Sequence, residues 1–190
     1  MTAEITVKNL AEKIKTASQK ADIFIVAIDG RCASGKTTLA KKLSQMLDCE
    51  VVHTDDFYLQ PHQRTSERYN EPGGNLDRER LLSEVIITLK QSGRAVYRPF
   101  VCSSMSFGEK MCLSGKAVYI IEGSYSCHPE LRNYYDLTVF VTTDRETQLE
   151  RIRNRNGEER LPDFKEKWIP FEEKYFATFE VEDKADEVVK

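Results

Sequence analysis

A continuous apolar run, Ile23-Phe24-Ile25-Val26-Ala27-Ile28, leads through Asp29 into a glycine-framed loop and then into a segment whose apolar residues, Leu39, Ala40, Leu43, Met46 and Leu47, recur at helical spacing. A strand with no polar face must be covered on both sides, as a central parallel strand is. Strand, loop and helix therefore form one βα unit, with the loop at the carboxyl end of the strand, where α/β folds place chemistry. The loop, Gly30-Arg31-Cys32-Ala33-Ser34-Gly35-Lys36-Thr37, satisfies GxxxxGK[ST] in full. A random chain of this length shows that pattern roughly 1% of the time, before the flanking strand and helix are required. Its glycines let successive main-chain N–H groups turn toward one anion, and the helix adds its positive end. On this reading Lys36 reaches the β- and γ-phosphates of a nucleotide and the Thr37 hydroxyl ligates Mg²⁺.

The 190 residues favour one compact domain with a full core. Lysine plus arginine, 28, against aspartate plus glutamate, 31, leaves a net charge of −3, so no global positive field points to a nucleic-acid partner and any anion site must be local. The longest apolar runs are strand-sized, which predicts no membrane span. Met1 to Leu10 lacks the unbroken apolar stretch of a secretory leader, and the reading is a cytoplasmic protein. Five cysteines without a CxxC pair argue for reduced thiols, and three histidines without ligand spacing predict no transition-metal site.

Further along, Ile5 to Gln19 has a loose helical period expected to lie on the surface. Glu50 to His53 reads as a short strand ending in Thr54-Asp55-Asp56-Phe57-Tyr58. The stretch from Gln60 to Asn75, with Pro61, Pro72, Gly73 and Gly74, reads as a long mobile loop. A helix from about Leu76 to Gln91 stops at Gly93. Ala95 to Val101 and Ser106 to Leu113 suggest an irregular hairpin. Strands over Lys116 to Ile121 and Tyr135 to Val141, helices from Asp144 to about Arg155 and Asp163 to Phe179, and a closing strand within Ala185 to Val189 complete the alternation. The expectation is a three-layer α/β domain of the P-loop NTPase type, with a mainly parallel central sheet.

Glu122 ends an apolar strand, where a carboxylate can hold Mg²⁺ directly or through water. Asp55 and Asp56 are adjacent, and on an extended chain only one of them faces the phosphates. Arg151 and Arg155 lie four apart on one helix face, with Arg153 nearby and Arg160 past the Asn156-Gly157 break. Like charges at that spacing are mildly unfavourable unless an anion lies between them, which suggests an arginine-bearing lid over residues 151–165.

Together these residues resemble the uridine kinase and phosphoribulokinase group of P-loop kinases. The resemblance is carried by Ile28-Asp29-Gly30 with Ser34-Gly35-Lys36-Thr37-Thr38, then Asp55-Asp56-Phe57-Tyr58, Ile121-Glu122-Gly123, Tyr135-Asp136-Leu137 with Phe140-Val141, the arginine-bearing helix, and Ala185-Asp186 before Val188-Val189. It implies an ATP- and Mg²⁺-dependent kinase phosphorylating a hydroxyl of a small molecule, most closely a nucleoside, and leaves room for a homo-oligomer. Asp55 then takes the proton from the acceptor hydroxyl. Gly30, Ala33, Ser34, Gly35, Lys36, Thr37 and Thr38 hold the nucleotide, Thr37 and Glu122 the metal, and Arg151 and Arg155 the transferring phosphate. Tyr58, Tyr97 and Arg98 line the acceptor site, with Tyr69 and Phe100 as further stacking candidates. The chain departs from the family pattern at Arg98-Pro99 followed by Cys102-Ser103-Ser104, and at Glu71-Pro72-Gly73-Gly74-Asn75, where Glu71 or Asp77 stands in for an acidic ribose grip. Arg98 suggests an acceptor with negative charge. Alternatives are a kinase for a phosphorylated sugar, pantothenate or nicotinamide riboside, or a nucleotide-dependent switch.

Overall fold

The computed structural model describes residues 3–190, with side-chain surroundings from Val7 onward. Met1 and Thr2, and the side chain of Ile5, lie outside the described residues. The chain starts with α1 (Ala3–Ser18), followed by β1 (Phe24–Gly30), α2 (Lys36–Met46) and β2 (Cys49–His53). After two short turns come α3 (Ser66–Asn70) and α4 (residues 78–92), which holds a π-helical stretch at Leu81–Ile86 and ends at Gly93 with φ of 67°. Two small antiparallel ladders follow: β3 (Arg94–Tyr97) pairs with β6 (Met111–Ser114), and β4 (Phe100–Val101) with β5 (Ser106–Phe107). The rest comprises β7 (Val118–Glu122), α5 (Pro129–Arg132), β8 (Leu137–Val141), α6 (Arg145–Asn156), α7 (residues 161–179) and β9 (Glu187–Val189).

The five long-sheet strands run parallel in the order β2-β7-β1-β8-β9. β1 lies at the centre, and all seven of its residues are buried, from its apolar run Phe24–Ile28 to Asp29 and Gly30 at its carboxyl end. Its side chains alternate between two cores. Phe24, Val26 and Ile28 pack with Leu10 and Ile14 of α1 and Leu39 and Leu43 of α2. Ile25 and Ala27 pack with Leu81, Val85 and Leu89 of α4 and Tyr175 and Phe176 of α7. Each fully buried aliphatic side chain contributes about 1.5–3 kcal/mol of transfer free energy, so the alternation holds three layers together. α1 is thus less superficial than its loose period suggests, with Leu10, Ala11 and Ile14 buried.

The segment 60–75, expected as one long loop, is largely ordered. Pro61–Gln63 forms a 3₁₀ turn, and α3 is capped by Thr65, whose hydroxyl accepts the Arg68 N–H. The guanidinium of Arg68 then ties the segment down by donating to the Gly74 and Leu76 carbonyls and pairing with Glu79. These are contacts of one arginine across six to eleven residues, which the loop-like composition does not reveal.

Candidate functional site

The central strand β1 has β7 on one side and β8 on the other, so the crevice at its carboxyl end is the switch point of the sheet. There the chain turns through Gly30, whose φ is 138°; a Cβ would stand 2.0 Å from the Val141 carbonyl oxygen, so no other residue fits. Ala33 adopts φ of 57°, a left-handed conformation uncommon for alanine and one that curls the loop. α2 begins at Gly35 without any side-chain cap, leaving its first N–H groups free for an anion. Lys36 is buried, and its ammonium donates to the Gly30 carbonyl at 2.7 Å and the Arg31 carbonyl at 2.9 Å, folded back along the loop.

The loop opens onto a cavity of about 1210 Å³. That is ample for two ligands side by side. Ala33, Ser34, Gly35, Lys36, Thr37 and Thr38 line one end, and Ser34 Oγ is buried there without a hydrogen-bond partner. Glu122 ends β7 beside His53, its register partner at the end of β2. Thr37 Oγ1 donates to the Glu122 carboxylate at 3.1 Å, and His53 Nδ1 lies 2.5 Å from the same carboxylate. That contact raises the His53 pKa above its ordinary value, with burial opposing. A hydroxyl and a carboxylate are hard oxygen donors that fit Mg²⁺, which takes one or two protein ligands and completes its shell with phosphate and water. Among the described residues no cluster of three or more His, Cys, Asp or Glu forms a metal site of another type.

Asp55 and Asp56 lie on a 3₁₀ turn, Thr54–Phe57, and not on an extended chain, and still point apart. Asp55 faces the cavity and accepts a hydrogen bond from the Tyr58 hydroxyl at 3.0 Å. Asp56 turns inward and accepts from Tyr97 at 2.9 Å. Burial raises the Tyr58 pKa, and the Asp55 charge adds to it, so the phenol stays protonated as a donor. Arg151 lines the cavity and reaches the Ala33 and Ser34 carbonyls at 3.2 Å; Arg155 lines it as well. Arg153 and Arg160 do not, being paired with Glu158 and Asp163.

The structure does not bring Tyr97 or Arg98 to the cavity. Tyr97 is 3% exposed and packs on Phe57, because β3 alternates and its inward face belongs to the core. Arg98 donates to the Gly108 and Phe107 carbonyls and so braces the open end of the β4–β5 hairpin. Phe100 is buried against Phe107. Neither Glu71 nor Asp77 is available: Glu71 is held by Arg78, and Asp77 caps α4 by accepting the Arg80 N–H. Tyr69 and Asn75 line the cavity instead, with Arg64, Tyr125, Phe164 and Trp168.

Several of these residues escaped the sequence reading. Phe164 and Trp168, four residues apart, share one face of α7, which is π-helical across Phe164–Trp168, and that face is turned to the cavity. Glu172, also on α7, is buried; its carboxylate accepts the Cys32 N–H at 2.9 Å and the Ser124 hydroxyl at 2.6 Å. Burial, with that carboxylate alongside, pushes the Cys32 thiol up to about 12. Asp29, fully buried, accepts the Gly30, Tyr125 and Cys127 N–H groups and the Tyr175 hydroxyl. The one available signal was Asp29 itself, a carboxylate at the end of an otherwise apolar strand.

A uridine kinase of Brevibacillus brevis is 28% identical over 147 residues, covering 72% of this chain and 67% of that protein. The chain spans between 26% and 60% of the length of four further relatives, which are uridine-cytidine kinases or uridine-cytidine kinase-like. Among solved structures, a possible uridine kinase from Bacillus stearothermophilus aligns with a TM-score of 0.67 at 24% identity, over 96% of this chain and all of the other. A candidate fructose transport system kinase from Silicibacter sp. TM1040 aligns at 0.73 and 21% identity, over 99% and 98%. These likenesses fix the fold as that of P-loop kinases. The model of the AAA domain family, AAA_18, matches residues 26–175, and the chain belongs to that P-loop family, with relatives among the uridine kinases.

Proposed function

We propose that the protein is an ATP-dependent phosphotransferase that moves a γ-phosphate onto a hydroxyl of a small, ring-bearing metabolite of nucleoside size. The observation that carries this reading is that Asp55 faces the same cavity as Lys36 and Thr37, so a base and a phosphate cradle share one space. A switch needs the cradle but no base.

In this reading the main-chain N–H groups of the loop and the start of α2 hold the phosphates. Lys36 leaves the Gly30 and Arg31 carbonyls to meet them, and Arg151 and Arg155 add positive charge where it builds up on the transferring group. Thr37 and Glu122 would hold Mg²⁺, which would supply neutralising charge to the phosphates when bound. Asp55 orients the acceptor hydroxyl and receives its proton, with the Tyr58 hydroxyl fixing the carboxylate. Tyr58, Tyr69, Phe164 and Trp168 offer flat apolar surface to a ring. The name of the Brevibacillus brevis relative supports a nucleoside acceptor. The engagement of Glu71 and Asp77 elsewhere favours a second reading, in which the acceptor is another hydroxylated metabolite. The cytoplasm, with its ATP and magnesium, suits either.

The test is ADP release from MgATP across a panel of nucleosides, sugars and hydroxy acids. Release stimulated by an acceptor supports the proposal. Slow hydrolysis that no small molecule accelerates replaces it with the switch.

A further inference from the structure

Four arginines lie between residues 60 and 84, and three of them are neutralised. Arg68 pairs with Glu79 at 2.7 Å, Arg78 with Glu71 at 3.2 Å and Glu130 at 2.9 Å, and Arg80 with Glu84 at 2.9 Å. The fourth, Arg64, has no carboxylate at ion-pair distance among the described residues, and it is the one that lines the cavity. Its Nε donates to the Leu59 carbonyl at 2.9 Å, which fixes the plane of the guanidinium, while Nη2 has only the Cys102 sulfur, at 3.4 Å. A thiol is a weak acceptor, so the outer edge of the fork keeps most of its donor capacity.

Its neighbours place it away from the phosphate loop. Asp55, Tyr58, Tyr69 and Asn75 line the same cavity, and Asp55 is held by the Tyr58 hydroxyl and forms no ion pair with Arg64. Asn75, at the end of the departing segment Glu71–Asn75, is neutral, and its Oδ1 is buried without a partner. The acceptor end thus holds one catalytic carboxylate and one half-buried, uncompensated guanidinium. A planar fork in this setting suits a phosphate or a carboxylate, which it can take through two parallel hydrogen bonds.

We infer that the phosphate acceptor itself bears an anionic group, a phosphate monoester or a carboxylate, and that Arg64 binds it. The inference rests on the phosphotransferase reading above. It moves the negative charge suggested by Arg98 in the sequence to a residue that the fold turns into the cavity.

The test uses matched acceptors with MgATP, the neutral member of each pair lacking and the anionic member bearing the anionic group: ribose and ribose 5-phosphate, uridine and its 3′-monophosphate, panthenol and pantothenate, and, on a pyridinium ring common to both, nicotinamide riboside and nicotinic acid riboside. The expected result is kcat/KM about 10–100-fold higher for the anionic member of at least one pair, the range set by charge-assisted hydrogen bonds. The first two pairs report a phosphate and the last two a carboxylate. Arg64→Gln then raises KM for that acceptor by a similar factor, with kcat and the KM for ATP little changed, whereas a merely structural role moves all three together. Equal or better use of the neutral members, or an equal loss on both members in Arg64→Gln, overturns the inference and leaves the kinase standing. MgATP binding without phosphorylation of any acceptor, and without binding of any anionic member in calorimetry with a non-hydrolysable ATP analogue, overturns both.

Discussion

The Glu172 carboxylate accepts the main-chain N–H of Cys32 at 2.9 Å, so the last long helix is fastened to the third residue of the phosphate loop. Neighbouring residues repeat the attachment: Arg31 pairs with Glu173 and Glu182, and Tyr175 donates to Asp29. Glu172→Ala leaves the Cys32 N–H and the Ser124 hydroxyl without their acceptor, a loss of about 1–3 kcal/mol. Urea unfolding measures it; an unchanged midpoint refutes the fastening.

Asp55→Asn keeps the shape of the side chain and its contact with Tyr58 but cannot take a proton. Turnover should fall by about 10²–10⁴-fold while the affinity for MgATP stays within a few-fold of wild type. Lys36→Ala should lose both. Single-turnover kinetics with calorimetric nucleotide binding separates the two variants, and an active Asp55→Asn removes that residue from its role.

Arg155 lines the cavity with no carboxylate partner among the described residues, its Nε donating only to Asn156. Arg155→Ala should lower kcat by about 10²–10³-fold, as the loss of one transition-state donor does. Arg153→Ala, which breaks an exposed pair with Glu158, should leave kcat unchanged. Steady-state assays of both variants settle the assignment.

Tyr97→Phe removes a hydroxyl that donates to Asp56 inside the core. The expected cost is about 1 kcal/mol of stability, with acceptor KM unaltered. A raised acceptor KM at normal stability would return Tyr97 to the substrate site.

His128, 5% exposed, is held neutral: burial, with Arg78 adding to it, lowers its pKa to about 4. Its folded pKa lies below the ordinary 6.5, so its contribution to stability is fully present above pH 6.5 and is lost as pH falls toward 4. Asp29 acts in the opposite sense. Burial raises its pKa from 3.8 to about 6, so its contribution is full below pH 3.8 and is lost as pH rises through 6. The two overlap in one window, so the raw profile is flattened. His128 Nδ1 caps α5 by accepting the Glu130 N–H, a role asparagine can keep. His128→Asn should therefore gain stability relative to wild type as pH drops from 6.5 to 4. Thermal melts at matched pH values show this gain, and a constant difference between the two proteins contradicts it.

The sequence by itself determined the βα unit around residues 23–47, the central place of β1 and the phosphate loop, because these rest on local periodicity and on steric demands within a few residues. Asp55 and Asp56 turn apart on a 3₁₀ turn and not on the extended chain that would set neighbouring side chains on opposite sides. Only the tertiary structure decided the acceptor end. Tyr97 is withdrawn because its strand lies over Phe57, and Glu71 and Asp77 are engaged because Arg78 and the start of α4 claim them. Arg64 and Asn75, from the segment 60–75, and Phe164, Trp168 and Glu172, from α7, converge on the cavity. Which way such side chains turn depends on partners from three residues away, as at Asp77, to 140 residues away, as at Glu172, and no spacing along the chain selects among them.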